Sequence, residues 1–202
     1  MKLWPIFISL WLWGSMAAAK PFVVGISTWN SYPSSVVGFK QSLTLKGLIE
    51  GKDVIYIEKS AHADKGKQRE IAEMFKAEKV DLVYSLTTPG TVIIKQVLPG
   101  TTPIVFSIVT YPADAGLIES MEYSANNLVG TSNYVPEQYF HELMDGVFPH
   151  AKSVLVFHRY GEPNSKIQAV NLKRLIKKTG ADVKIVSAKS LDDLDKKARK
   201  II

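Results

Sequence analysis

Residues 80–97, with the sequence VDLVYSLTTPGTVIIKQV, decide the fold of this chain. The first seven residues form a short apolar run that is typical of a buried β-strand. Thr88 is a good N-cap and Pro89 suits a first helical turn, so a helix is predicted over residues 89–97. A buried strand that runs directly into a helix is typical of a parallel sheet covered by helices.

The same alternation continues on both sides of this stretch. Six further apolar runs predict strands at residues 22–27, 53–58, 103–108, 128–132, 154–157 and 183–186. Helical patterns are found at residues 34–48, 67–78, 138–146, 166–178 and 191–202. Strands that alternate with helices predict an α/β fold, with a doubly wound parallel sheet and right-handed crossovers.

Residues 1–19 have the pattern of a signal peptide. A positive start is followed by an uncharged apolar run at residues 3–16 and by three alanines at residues 17–19. The alternative is a membrane anchor, which needs roughly 20 apolar residues. Because this run is shorter and meets Lys20 directly, we expect cleavage near Ala19 and a mature protein in the periplasm.

The composition excludes several classes of protein. With 46% apolar and 22% charged residues, the 202-residue chain is globular rather than disordered. The absence of cysteine excludes a disulfide scaffold, a thiolate metal site and a cysteine nucleophile. Residues 151–202 contain 13 Lys and Arg against 5 Asp and Glu. These cations are spaced as solvated helix faces without interleaved aromatic residues, so nucleic acid is not expected as a partner.

Parallel sheets bind ligands at the carboxyl ends of their strands, where loops lead into helices. In the predicted sheet these loops are residues 28–33, 85–90, 107–114, 132–137 and 158–165. They carry aromatic rings together with hydroxyls and amides: Trp29, Asn30, Tyr32, Ser85, Thr87, Thr88, Thr110, Tyr111, Asn133, Tyr134, Tyr160, Asn164 and Ser165. Rings and neutral hydrogen-bonding groups indicate a binding surface for a small molecule rather than a catalytic centre.

Motifs of catalysis and of cofactor binding are missing from the sequence. The four histidines have no metal-ligand spacing, and there is no G-x-S-x-G, G-x-G-x-x-G or P-loop motif. The signals of catalysis are therefore weak, and we expect no cofactor and no metal. Residues 85–90 do suit an anion, because their hydroxyls and the free N–H groups of the following helix match a carboxylate.

Nine segments occur in an order and spacing that point to a known family. They are residues 38–43, 50–54, 80–83, 87–89, 103–107, 109–112, 115–117, 130–132 and 162–165. Together they resemble the exported substrate-binding proteins of ABC importers, specifically the tryptophan/tyrosine-binding-like family with the type I periplasmic binding protein fold. Because members of that family are longer, the resemblance implies one complete α/β lobe at residues 20–129 and part of a second lobe at residues 130–202.

The resemblance also implies a binding mode in which two lobes close on a small molecule, often an aromatic amino acid, without catalysis. Position by position, it assigns the ligand shell to Tyr32, Thr87, Thr88, Thr110, Tyr134, Asn164 and Ser165. Where the family reads Thr-Asp-Pro, this chain reads Thr110-Tyr111-Pro112. The change removes a candidate partner for a ligand ammonium, and Tyr111 is expected to stack on a flat ligand instead.

Three functions remain open at this point. The first is a monomeric solute receptor that delivers a small molecule to the membrane permease of an ABC importer. The second is a receptor of the same shape that feeds a membrane sensor kinase. The third is an exported enzyme on an α/β sheet, which needs a nucleophile and a base brought together by the fold.

Overall fold

A computed structural model describes residues 20–201, apart from the side chains of Glu137, Gln138 and His141. The strands are β1 Phe22–Thr28, β2 Val54–Ser60, β3 Leu82–Leu86, β4 Ile104–Val109, β5 Leu128–Ser132, β6 Ser153–Arg159 and β7 Asp182–Ala188. The helices are α1 Pro33–Leu45, α2 Lys65–Ala77, α3 Thr88–Val97, α4 Glu137–Val147, α5 Pro163–Lys177 and α6 Leu191–Ala198. None of these helices is both long and apolar enough to cross a membrane. The signal peptide predicted at residues 1–19 lies outside the described residues.

All seven predicted strands are present, each within two residues of its predicted ends, so the α/β prediction is confirmed. The helix after β3 differs at its start. It begins at Thr88, and its N-cap is Thr87, which has a φ of 73° and makes no side-chain capping bond. The prediction of Thr88 as the N-cap is therefore wrong, because Thr87 makes the turn that leads into the helix.

The strands form two parallel sheets. The larger sheet has the order β2-β1-β3-β4-β5, and the smaller one consists of β6 and β7. Since β1 and β3 pair in parallel, their carboxyl ends lie side by side. After β1 the chain forms β2 on one side of β1, and it then crosses over to form β3 on the other side. The space between the loops after β1 and β3 is therefore the switch point at which such sheets bind ligands.

The fifth strand belongs to the larger sheet, where it pairs with β4. The boundary that the sequence predicts between residues 129 and 130 therefore falls inside β5. The smaller sheet contains only later residues, and α5 and α6 pack against it. The division into a complete lobe and a partial second lobe stays a prediction.

Both faces of the larger sheet are covered by helices. One core cluster packs α2 and α3 against the sheet through Phe75 and Ile94, and a second packs α1 against the opposite face through Val36. Phe75 is fully buried beside Gly25 of β1, where an added Cβ would lie 2.9 Å from the ring. Glycine at this position thus allows α2 to lie close to β1 and places the start of α2 beside the switch point.

Candidate ligand-binding site

A cavity of about 390 Å³ lies at the switch point, between the loops of the larger sheet and the segment that joins β6 to α5. The larger sheet contributes the following lining residues: Trp29, Asn30, Tyr32, Ala63, Thr87, Thr88, Pro89, Ile108, Thr110 and Asn133. The segment after β6 contributes Arg159, Glu162, Asn164 and Ser165. The volume is in the range of small-molecule sites.

The turn between β3 and α3 presents two buried hydroxyls to this cavity. Thr87 is 8% exposed and Thr88 is 1% exposed, and neither Oγ1 atom has a hydrogen-bond partner. The turn itself is firmly held, since the Thr87 N–H donates to the Ser107 carbonyl (3.0 Å) and the Thr91 hydroxyl donates to the Thr87 carbonyl (2.8 Å). Unpartnered buried hydroxyls are costly, so their convergence on one cavity indicates a polar ligand.

The same turn directs the start of α3 toward the cavity. The N–H groups of Thr88 and Gly90 lie in the first helical turn, where no carbonyl of the helix is available to accept from them. The aligned peptide dipoles give this end of the helix a partial positive charge. Together with the two hydroxyls, these donors form a cradle that matches a carboxylate.

Backbone strain is concentrated around the cavity. Among residues 20–201, seven residues other than glycine have a positive φ, and four of these line the cavity. They are Tyr32 (95°), Ala63 (60°), Thr87 (73°) and Ile108 (58°). Each such conformation costs about 1–3 kcal/mol, and strain of this kind collects at functional sites.

Asn164 and Ser165 reach the cavity from the first turn of α5. The Ser165 hydroxyl donates to the carbonyls of Arg159 (3.0 Å) and Glu162 (3.1 Å), so it fixes the loop after β6. The Oδ1 atom of Asn164, in contrast, is buried and has no hydrogen-bond partner. Asn164 is therefore the better prepared of the two for direct contact with a ligand.

The structure brings six of the eight predicted site residues to this cavity: Tyr32, Thr87, Thr88, Thr110, Asn164 and Ser165. Tyr111 and Tyr134 line a neighbouring cavity of about 260 Å³ instead. Their rings meet edge to face with centroids 5.7 Å apart, and Tyr111 is 7% exposed. Just after β4 the chain bends at Thr110, and the two neighbouring side chains line different cavities. The structure thus gives no support to stacking of Tyr111 on a ligand held there.

The charged residues of the site were missed by sequence reasoning. Arg159 ends β6 and Glu162 is the N-cap of α5, and both line the cavity. The expectation of purely neutral hydrogen-bonding groups is therefore wrong. The available signal was their position, because both lie in the loop at residues 158–165 that the sequence already assigns to the binding edge.

A second cavity of about 460 Å³ borders the first one and contains a cation that is already neutralised. Lys40 pairs with Glu58 and, at 3.5 Å, with Glu50, and its ammonium lies 4.5 Å from the centroid of the Tyr56 ring. Burial lowers the pKa of Lys40, but the hydrogen bonds and charges of Glu58 and Glu50 outweigh burial and raise it. This ammonium is therefore held by its own carboxylates and does not serve the first cavity.

The groups that line the first cavity are suited to binding rather than to bond cleavage. Among the residues whose side chains the structure describes, no histidine lines this cavity. In the described part of the chain, no three His, Asp or Glu side chains come together as a metal site requires. Trp29 and Tyr32 supply aromatic surface, and the polar groups around them supply donors and acceptors.

Two parallel α/β units that share a polar and aromatic cavity at the ends of their strands define a protein of the periplasmic binding type. The comparison with protein families agrees with this class. Residues 23–202 match the family described as ABC transporter substrate binding protein. The chain belongs to this family.

Three similar proteins illustrate the relationship. A tyrosine-binding protein of Clostridioides difficile (strain R20291) is 33% identical over 166 residues, which are 79% of this chain and 47% of that protein. A conserved domain protein from Vibrio cholerae O1 biovar El Tor strain N16961 is 28% identical, with a TM-score of 0.75 over 90% of this chain and 62% of that one. An ABC domain from Streptococcus pneumoniae in complex with L-Trp has the same TM-score and coverage at 22% identity, which shows the shared fold. The chain spans about half the length of the curated relative that it matches.

Proposed function

We propose that this chain is the solute receptor of an ABC importer and binds an aromatic molecule that carries a carboxylate, such as an aromatic amino acid. The proposal is carried by three buried polar atoms without partners, Oγ1 of Thr87, Oγ1 of Thr88 and Oδ1 of Asn164, which converge on one cavity beside Trp29. The tyrosine-binding relative supports this ligand class. The receptor works outside the cytoplasm as a monomer, releases its ligand unaltered and delivers it to a membrane permease.

The proposed binding mode places each part of the ligand against a matching wall. The carboxylate lies at the start of α3, where it accepts hydrogen bonds from the Thr88 hydroxyl and from N–H groups of the first turn. The ring lies against Trp29 and Tyr32, where an aromatic contact contributes about 1 kcal/mol beyond the buried area. Asn164 completes the site from the side of α5.

Closure follows from contacts between the two proposed lobes beside the cavity. The Lys65 ammonium donates to the Gly161 carbonyl (3.0 Å), and the Asn171 amide donates to the Asp114 carboxylate (3.2 Å). These bonds exist only when the lobes are together, so they favour the closed form. A ligand that contacts both walls shifts the equilibrium further, by the difference between its affinities for the two forms.

The proposed site is tested by replacing Asn164, whose buried Oδ1 atom makes no hydrogen bond within the protein. We expect Asn164→Ala to weaken the binding of L-tyrosine or L-tryptophan, measured by titration calorimetry, by about tenfold, which corresponds to about 1.4 kcal/mol. Gln168→Ala, on an exposed position of the same helix, is the matched control and should leave the affinity unchanged. Failure of both amino acids and of 4-hydroxybenzoate to bind the purified chain would contradict the proposed function.

Lys65 tests closure separately from ligand contact. Lys65→Met removes one bond that is present only in the closed form, and we expect the affinity for L-tyrosine to fall about threefold because an exposed bond of this kind contributes less than 1 kcal/mol. Lys67→Met, two residues along the same exposed turn of α2, should have no effect. An equal change in both variants would mean that the loss of one positive charge from this turn of α2, and not the loss of the bond to Gly161, changes the affinity.

A further inference from the structure

The strongest unexplained group in the cavity is the carboxylate of Glu162. Glu162 is the N-cap of α5, but its side chain accepts no hydrogen bond from the helix. It is half-buried, and among residues 20–201 no cation lies within ion-pair distance of it. Neither a capping bond nor an ion pair therefore explains why a half-buried glutamate occupies this position.

A second acceptor lies two residues further along the same turn. The Oδ1 atom of Asn164 is buried and unpartnered, and it lines the same cavity as Glu162. A carboxylate and an amide oxygen both accept hydrogen bonds, whereas an ammonium group has three N–H donors and no acceptor. The α5 side of the cavity is thus complementary to a primary ammonium.

The opposite wall has the reverse polarity. The first turn of α3 offers N–H donors and the positive end of the helix dipole, beside the hydroxyls of Thr87 and Thr88. The one cation of the lining, Arg159, is exposed and also lines a separate cavity beside Leu191, so it lies at the rim. Hydrogen-bond donors on one wall and acceptors on the other match a zwitterionic ligand, which carries both a carboxylate and an ammonium group.

We propose that Glu162, together with Asn164, receives the α-ammonium of the ligand while α3 receives its carboxylate, so that the site selects an amino acid over the corresponding acid. This inference rests on the proposed function and adds the residue that decides between the two ligand classes. An aromatic acid without an amino group would still bind its carboxylate at α3, but it would bring no donor to the carboxylate of Glu162 and the amide oxygen of Asn164 on the other wall.

The tyrosine at position 111 is compatible with this assignment. Tyr111 lines the neighbouring cavity, so an aspartate in its place would not face the ligand proposed here. The negative charge of the site comes from the other wall, through Glu162. Replacement of the family aspartate by Tyr111 therefore does not by itself remove amino-acid recognition.

The test compares L-tyrosine with 3-(4-hydroxyphenyl)propionate, which has the same ring and carboxylate but no amino group. In the unmodified chain we expect L-tyrosine to bind at least tenfold more tightly in titration calorimetry. Glu162→Gln should weaken L-tyrosine binding about tenfold and leave the acid unchanged or slightly tighter, so the preference is lost. Glu70→Gln, on an exposed position of α2, is the control and should retain it.

Each outcome of this experiment decides one question. Equal weakening of both ligands in Glu162→Gln, or an unchanged preference for L-tyrosine, overturns the role of Glu162 and leaves the proposed function in place. Binding of neither ligand to the unmodified chain overturns the proposed function and the inference with it. Thermal unfolding of each variant is measured without ligand as a control, which distinguishes a loss of affinity from a loss of fold.

Discussion

Thr88→Val is expected to remove most of the ligand affinity and to leave the protein at least as stable as before. The Thr88 hydroxyl is buried and unpartnered, and the residue is 1% exposed, so a methyl group of the same size fills its place without a cavity. Because no hydrogen bond is lost, the free energy of unfolding should stay constant or rise by about 1 kcal/mol. The ligand carboxylate, in contrast, loses a charge-assisted bond of about 2–3 kcal/mol, roughly 30- to 150-fold in affinity.

Thr91→Val is the matched control, because it makes the same chemical change one turn further along α3. The Thr91 hydroxyl donates to the Thr87 carbonyl (2.8 Å) and lies 3.0 Å from the Ser85 hydroxyl. Its removal should lower the free energy of unfolding by about 1–2 kcal/mol. Calorimetric titration with L-tyrosine and urea unfolding separate the two variants. Loss of stability in Thr88→Val with unchanged affinity would show that its hydroxyl has a structural role.

The strands were predictable because each is a short apolar run between polar turns, as residues 103–108 and 128–132 show. Once the strands are parallel, the loops at their carboxyl ends must meet at one edge, so Thr87, Thr88 and Thr110 could be assigned to one site without coordinates. This part of the prediction needs only local pattern and a topological rule. The topological rule therefore succeeds at side chains such as Thr87, Thr88 and Thr110, whose place in the site follows from the loop that carries them.

The remaining features of the site depend on the backbone path within each loop. Thr87 has a positive φ, which is unusual for a β-branched residue and which no sequence pattern indicates. It moves the helix start to Thr88 and frees both hydroxyls. In the loop after β6, Gly161 has a φ of 77°, and the turn around it brings Glu162 to the cavity. Such turns are fixed by tertiary contacts, for example the bond from Lys65 to Gly161.

Phe75→Ala is expected to have the largest effect on stability. The Phe75 ring is fully buried between α2 and β1 and fills the space that Gly25 leaves without a side chain. Its removal leaves a cavity against β1, an inner strand of the larger sheet, where strands on both sides of β1 limit collapse. We expect the free energy of unfolding to fall by about 3–5 kcal/mol in urea titrations. Phe22→Ala, at a side chain that is 62% exposed, should change it by less than about 0.5 kcal/mol.

The contact between Phe75 and Gly25 can be separated from general burial by a double-mutant cycle. Gly25→Ala alone should destabilise by about 1–3 kcal/mol, because its Cβ would lie 2.9 Å from the ring. In the double variant that Cβ enters space that the ring has vacated, so the total loss should be smaller than the sum by at least about 0.5 kcal/mol. Additive losses would show that the ring moves aside without cost, and that this contact does not fix the position of α2 relative to β1.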